Sequence, residues 1–258
     1  MMYRRELLTL GVFALLPQVR LGAQAPAGLD NLISDLVAAN HILATEGIVD
    51  GYGHVSVRSP RNKDRFHLSR SLAPESVSAA DILEYGLDGE PIDPKGKTSY
   101  KERFIHSEIY RVRPDVNAVV HCHAPSLIPF GVTKVPLRPM YHQSAFLAAG
   151  VPVFEIREAG GMTNMLVETA ALGRALAKTL GDKPAALMRG HGAVVVADTI
   201  PNVVGRSIYL EINARVQAQA IALGGPITYI DPEEARKYAA SDNYSRAWEL
   251  WKKKATGR

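Results

Sequence analysis

The sequence has a single cysteine, Cys122, and only two tryptophans, with aromatic residues at 7%. One thiol cannot close an intramolecular disulfide, so stability must come from packing, from a bound ion or from association between chains. No uninterrupted apolar run approaches the roughly 20 residues that a membrane-spanning helix needs. Charge of one sign is scarce too. The net charge is +4, and much of it sits at the two ends, in Arg4, Arg5 and Arg20 against Glu6, and in Lys252, Lys253, Lys254 and Arg258. With those set aside, no basic face with interleaved aromatics is left to meet a nucleic acid. No internal repeat and no extended low-complexity segment is visible. What remains, 258 residues with 47% hydrophobic content, suits one domain with one sizeable core.

The N-terminus reads as a separate unit. Arg4-Arg5, Leu7-Leu8, a short apolar stretch to Leu16 and then Ala23-Gln24-Ala25 make a basic region, a hydrophobic region and a small-residue cleavage site. The paired arginines resemble a twin-arginine export signal, which carries folded proteins. Residues 1–25 are therefore expected to be an export signal, residues 26–258 a single domain, and the location periplasmic. A non-functional signal would leave the protein in the cytoplasm.

Along the rest of the chain, apolar residues at helical spacing from Asp30 to Gly47 predict a helix. Short strands are predicted at Val55–Val57 and Arg65–Leu68, a capped turn at Ser78, and a hairpin at Leu87–Glu90. The pattern is helical from Ser99 to Val112. Strands follow at Val116–Cys122 and Val151–Ile156, then a long helix at Thr163–Leu180. Ala186–Ala197 reads as a strand interrupted by Gly190 and Gly192. A helix opened by Pro201 runs to Leu223, and Pro232–Lys254 is helical. Helices and strands mix without strict β-α-β alternation, which predicts an α/β fold with a largely antiparallel sheet covered by helices.

The chemistry concentrates in histidines. In a strand, side chains at i and i+2 share a face, so His121 and His123 can converge on one ion while Cys122 points away. His191, flanked by Gly190 and Gly192, is the candidate third ligand, because glycine lets the backbone bend sharply enough to turn the ring inward. Three histidines leave an open coordination position, the mark of a catalytic ion. A bare His-x-His equally fits a pair of partly exposed strand histidines. His41 and His67 are read as structural or surface residues. Glu102 shares a helical stripe with Ile105, His106 and Ile109. A carboxylate there is either catalytic or a helix-start glutamate favoured by the macrodipole.

Four segments together resemble the class II aldolase/adducin family. They are Gly53-His54-Val55-Ser56-Val57-Arg58, Glu102-Arg103-Phe104-Ile105-His106, Arg113 through His123, and Arg189-Gly190-His191-Gly192, and the likeness spans about Leu29 to Gly225. The glutamate precedes the first histidine by 19 positions, as in the family. The resemblance implies a three-layer fold, with a central mainly antiparallel sheet between helical layers. It implies that His121, His123 and His191 bind the metal and that Glu102 is the acid/base. It also implies a homo-oligomer, a cyclic homotetramer with active sites at subunit interfaces.

The departures from that family bear on substrate. Sugar-phosphate members hold phosphate with an asparagine, a Thr-Gly pair and two small hydroxyl residues, where this chain has His54, Arg70-Ser71 and Tyr100-Lys101. Arg70 could grip a carboxylate in bidentate fashion, or be a loop arginine on the surface. The runs Ile128–Val132 and Pro139-Met140-Tyr141-His142 resemble the branch that decarboxylates hydroxylated aromatic and pyridine dicarboxylates. His54, Arg70, Ser71, Tyr141 and His142 are accordingly the expected substrate-binding residues, for a small anionic substrate. The expected cofactor is one divalent ion, zinc first, with Mn²⁺ or Fe²⁺ as alternatives. The expected reaction is carbon–carbon cleavage with charge stabilised at the ion, by decarboxylation or, as the alternative, by retro-aldol cleavage. An iron-dependent oxygenase and a non-catalytic adducin-like binding protein are the readings from other classes.

Overall fold

Apolar residues three and four apart along α1 (Ala27–Thr45) put Leu36, Ala39, Ile42 and Leu43 on one fully buried stripe. This helix is the first described element of a computed structural model that describes residues 27–239 and 244–256. The expected export segment at 1–25 lies outside the described residues.

After α1 come three strands, β1 (His54–Arg58), β2 (Arg65–Ser69) and β3 (Ile82–Gly86), then α2 (Arg103–Val112) and β4 (Ala118–Cys122). Two short helices, α3 (Ile128–Val132) and α4 (Ile156–Gly160), flank the two-residue strand β5 (Val153–Phe154). The chain ends with α5 (Ala170–Leu180), β6 (Ala185–Met188), β7 (Gly192–Ala197), α6 (Ile200–Leu223), α7 (Pro232–Ala239) and α8 (Ser245–Thr256). The strands form one seven-stranded sheet in the order β3-β2-β1-β4-β7-β6-β5. Every pairing is antiparallel except β5 with β6, as the expected, largely antiparallel fold requires.

Each face of the sheet buries its own apolar cluster. On one face Ala118, Val120 and Cys122 of β4 pack with α1, α6 and α8, including Trp248 and Trp251. On the other, Val119 packs with Ile105 and Ile109 of α2 and Leu176 and Leu180 of α5. The three layers follow from strand alternation in β4, which also places His121 on the α2 face, opposite Cys122. The two central helices on either side start as their sequences direct. Thr169 and Thr199 accept the backbone N–H of Leu172 and Asn202 respectively, and Pro201 occupies the first turn of α6.

Three local expectations are corrected. The expected strand Ala186–Ala197 is a hairpin, β6 and β7, with Gly190 at φ +62° in its turn. A Cβ at Gly192 would come within 2.0 Å of the Cys122 carbonyl oxygen, so the close approach of β7 to β4 needs glycine there. The long helix expected from Thr163 begins only at Ala170. Met165 has φ +69°, and the Val167 N–H is taken by the Glu102 carboxylate instead of a helical carbonyl. The helix expected from Ser99 begins at Arg103, because the Tyr100 hydroxyl is tied to Ser69 and to the Leu72 carbonyl. The Leu87–Glu90 turn does bring the chain back, with Gly86 N–H donating to Glu90 O at 3.0 Å, but only as an isolated bridge between Tyr85 and Pro91.

Candidate metal centre

His121, the last residue but one of β4, is fully buried, and His123 lies one step beyond the strand. Because β7 pairs with β4 and β6 with β7, the β6–β7 turn brings His191 to the same end of the sheet. Glu102, at the N-cap of α2, reaches the group from the layer above. The Nε2 atoms of His121 and His123 are 3.0 Å apart, and those of His123 and His191 3.1 Å. Glu102 Oε2 lies 3.3 Å from His121 Nε2 and 3.5 Å from His191 Nε2. All four ligand atoms fall within 4.8 Å of one another.

The surroundings orient these rings. His121 Nδ1 is 3.1 Å from the Ala193 carbonyl oxygen and His191 Nδ1 is 3.0 Å from that of Met165. A carbonyl can only accept, so each Nδ1 carries the proton and each Nε2 presents a lone pair to the common centre. Lone pairs converging at this spacing repel unless a cation lies among them. Zn–N bonds of about 2.0–2.1 Å in a tetrahedron would hold such nitrogens about 3.3 Å apart, close to the spacing found. Burial and the flanking His121 and His191 rings push His123 down to about 4, which favours the neutral ligand form. Burial alone would raise the Glu102 carboxyl. Positive charge at the His121 and His191 rings outweighs burial and holds it below the ordinary carboxylate range, and with those rings neutral an ion on their Nε2 atoms would supply that charge. The donor set fits a divalent ion.

A cavity of about 380 Å³ opens onto Glu102 and His123. Tyr52, His54, Ser71, Tyr100 and Lys101 wall it. A second cleft of about 430 Å³, around Arg113, Asp182 and Arg206, lies at the start of β4, away from the histidines. His54 is 3% exposed and packs tilted against Tyr100 at 4.5 Å between ring centroids. Burial and the neighbouring His106 and His121 rings push its pKa well below the usual histidine value.

Of the expected substrate residues, the fold brings His54 and Ser71 to the cavity and leaves three outside its wall. Arg70 turns to Asp81, with its Nε 2.7 Å from Oδ1. Hydrogen bonds from Ser78 and from Arg70 hold that Asp81 carboxyl at about 2. Tyr141 and His142 belong to an aromatic group with Tyr209 and Tyr238, against α6 and α7. His41 and His67 stay clear of the site; His41 caps the Val77 carbonyl at 2.8 Å. Tyr52, which is 72% exposed at the cavity mouth, and Lys101 also line the cavity; nothing in the sequence marks Tyr52, and Lys101 stands out only in the Tyr100-Lys101 pair. The Val167 N–H, which donates to Glu102 Oε1 at 2.9 Å, leaves no trace in residue type. Among the described residues, no helix is long and apolar enough to cross a membrane.

The profile of the "Class II Aldolase and Adducin N-terminal domain" matches residues 34–218. The chain is 36% identical over 244 residues to decarboxylase tropJ of Talaromyces stipitatus, an alignment covering 85% of this chain and 92% of the relative. It is 29% identical over 231 residues to the 3,4-dihydroxyphthalate decarboxylase of Arthrobacter keyseri, covering 83% and 89%. The solved L-fuculose 1-phosphate aldolase of Glaciozyma antarctica superposes with a TM-score of 0.72 at 26% identity, covering 92% of each chain. The relatives named decarboxylase and the aldolase alike break a carbon–carbon bond, and this protein is an enzyme of the same lyase class. By its profile match, its fold and its histidine centre, the chain belongs to the class II aldolase and adducin family.

Proposed function

We propose that the protein is a metal-dependent carboxy-lyase that removes one carboxylate from a hydroxylated aromatic or heteroaromatic dicarboxylate. The observation that carries this reading is the cavity joining Glu102 and the histidines to a wall of His54, Tyr100 and Lys101. These side chains stand where sugar-phosphate members of the family use an asparagine and two small hydroxyl residues, and they suit a flat ring with anionic substituents better than a phosphate. The decarboxylase relatives support the same reading.

A divalent ion, zinc first and manganese or iron as alternatives, would supply positive charge beside the oxygens on which negative charge collects as the bond breaks. His121, His123 and His191 would hold it. Lys101 offers its ammonium to the carboxylate that is kept, the role first expected of Arg70. Tyr52 covers the ring at the cavity mouth. Glu102 is ionised at rest, so it first takes the proton of a substrate hydroxyl. As the carboxylate leaves as CO₂, its bonding electron pair stays on the ring carbon, and Glu102 returns the proton to that carbon.

Retro-aldol cleavage is the second reading, favoured by the likeness to the fuculose-phosphate aldolase and using the same Glu102 and histidines. The two separate on product, with 3,4-dihydroxyphthalate and L-fuculose 1-phosphate as probes. CO₂ released in step with loss of the dicarboxylate supports decarboxylation. Stoichiometric aldehyde without CO₂ overturns it. Metal analysis of protein purified without added metal distinguishes zinc or manganese from the iron of an oxygenase. We extend the proposal to a homotetramer, on the family resemblance, and to export, on residues 1–25.

A further inference from the structure

His54 is the outermost member of a line of buried polar groups that ends deep beneath the cavity. Its Nδ1 lies 2.6 Å from His106 Nε2, and His106 Nδ1 lies 2.6 Å from Ser56 Oγ. Ser56 Oγ lies 2.9 Å from the Tyr110 hydroxyl. His106 and Ser56 are fully buried and Tyr110 is 2% exposed, so water does not compete for these contacts. Each inner member has one hydrogen to give along the line, so the direction of one hydrogen bond sets all the others.

Tyr110 decides the direction. Burial keeps its phenol protonated, so it must donate. Two acceptors are in range, Ser56 Oγ at 2.9 Å and the Asn117 carbonyl at 3.4 Å. The Asn117 carbonyl already accepts the Arg58 N–H at 2.7 Å. The 3.4 Å contact lies at the edge of hydrogen-bond range, so the shorter one takes the hydrogen, and Tyr110 donates to Ser56. Ser56 then donates to His106 Nδ1, and His106 donates from Nε2 to His54 Nδ1. A neutral His54 with an accepting Nδ1 carries its proton on Nε2. No hydrogen bond from this nitrogen to a described residue competes for that proton, and His54 lines the cavity.

We propose that Tyr110, Ser56 and His106 lock His54 in the tautomer that presents an N–H to the cavity, making His54 a fixed donor to an anionic oxygen of the substrate. His106, Ser56 and Tyr110 are positioning residues in this arrangement and touch no substrate themselves. The carboxylate as acceptor rests on the function proposed above; the tautomer does not.

The test uses the full chain, zinc-loaded and labelled with ¹⁵N in its histidine rings, because protonated and bare imidazole nitrogens differ widely in ¹⁵N shift. Loss of a signal pair in His54→Gln assigns the ring. The expected wild-type spectrum shows His54 protonated at Nε2 and bare at Nδ1. Ser56→Ala should spread His54 over both tautomers and raise KM for 3,4-dihydroxyphthalate about tenfold with little change in kcat. Ser56→Thr should restore both. A purely structural serine would lower the melting temperature without moving the tautomer or splitting KM from kcat.

A proton on Nδ1 of wild-type His54 overturns the proposal, and so does an unchanged tautomer in folded Ser56→Ala. If Ser56→Ala does not fold, the wild-type spectrum alone decides. A protein that shows the Nε2 tautomer yet does not turn over the dicarboxylate keeps the proposed lock and loses the proposed reaction.

Discussion

Glu102→Gln separates a proton carrier from a metal ligand. The residue is 7% exposed, its Oε1 accepts the Val167 N–H at 2.9 Å, and its Oε2 lies 3.3 Å and 3.5 Å from the Nε2 atoms of His121 and His191. Glutamine has the same shape and keeps an oxygen for Val167, so the latch between α2 and the segment before α5 survives. The stability cost should stay within about 1 kcal/mol, that of one altered hydrogen bond. The amide cannot take a proton from a substrate hydroxyl or return one to carbon. Turnover should fall by roughly 10²–10⁴-fold, about 2.7–5.4 kcal/mol of barrier. Glu102→Ala should lose the same turnover and also strand the Val167 N–H, which costs about 1–3 kcal/mol more in stability. The assays are metal content per chain after dialysis, melting temperature, and CO₂ release from 3,4-dihydroxyphthalate. Metal lost in proportion to activity in Glu102→Gln would make Glu102 a ligand. Undiminished turnover would refute its role in proton transfer.

Three further outcomes are expected. His123→Ala should lose bound metal and activity together, because two remaining imidazoles hold a divalent ion weakly; full stoichiometric metal by mass spectrometry would refute the assignment. Lys101→Met should raise KM for the dicarboxylate about tenfold or more, while Arg70→Ala, which breaks a partly exposed pair with Asp81, should do far less; the reverse order would return the carboxylate contact to Arg70. Residues 1–25 fused to a reporter that must fold before export should carry it to the periplasm, and Arg4-Arg5 changed to Lys-Lys should stop it; cytoplasmic, unprocessed reporter would end the export reading.

Much of this protein is written in short-range pattern. Alternation along β4 already put His121 and His123 on one face and Cys122 on the other, and the buried clusters on the two faces agree. The start of α6 was legible from Pro201 and its end from Gly224. The glycines around His191 announced a sharp bend, although the bend proved to be a hairpin turn and not an interrupted strand. The long helix expected from Thr163 failed for a nonlocal reason, since the Val167 N–H goes to a carboxylate 65 residues away in sequence.

Periodicity, caps and turn residues act over a few positions, and those are the features that the sequence by itself determined: strand faces, helix ends and the His-x-His pair. Only the tertiary structure decided which groups meet. It brought His191 to the end of β4 through two strand pairings, gave Arg70 to Asp81, put Lys101 on the cavity wall, and ran His54 into His106, Ser56 and Tyr110. An arginine or a buried histidine can satisfy itself with any suitable partner. Its neighbours in sequence do not choose among them, and the packing of sheet against helix does.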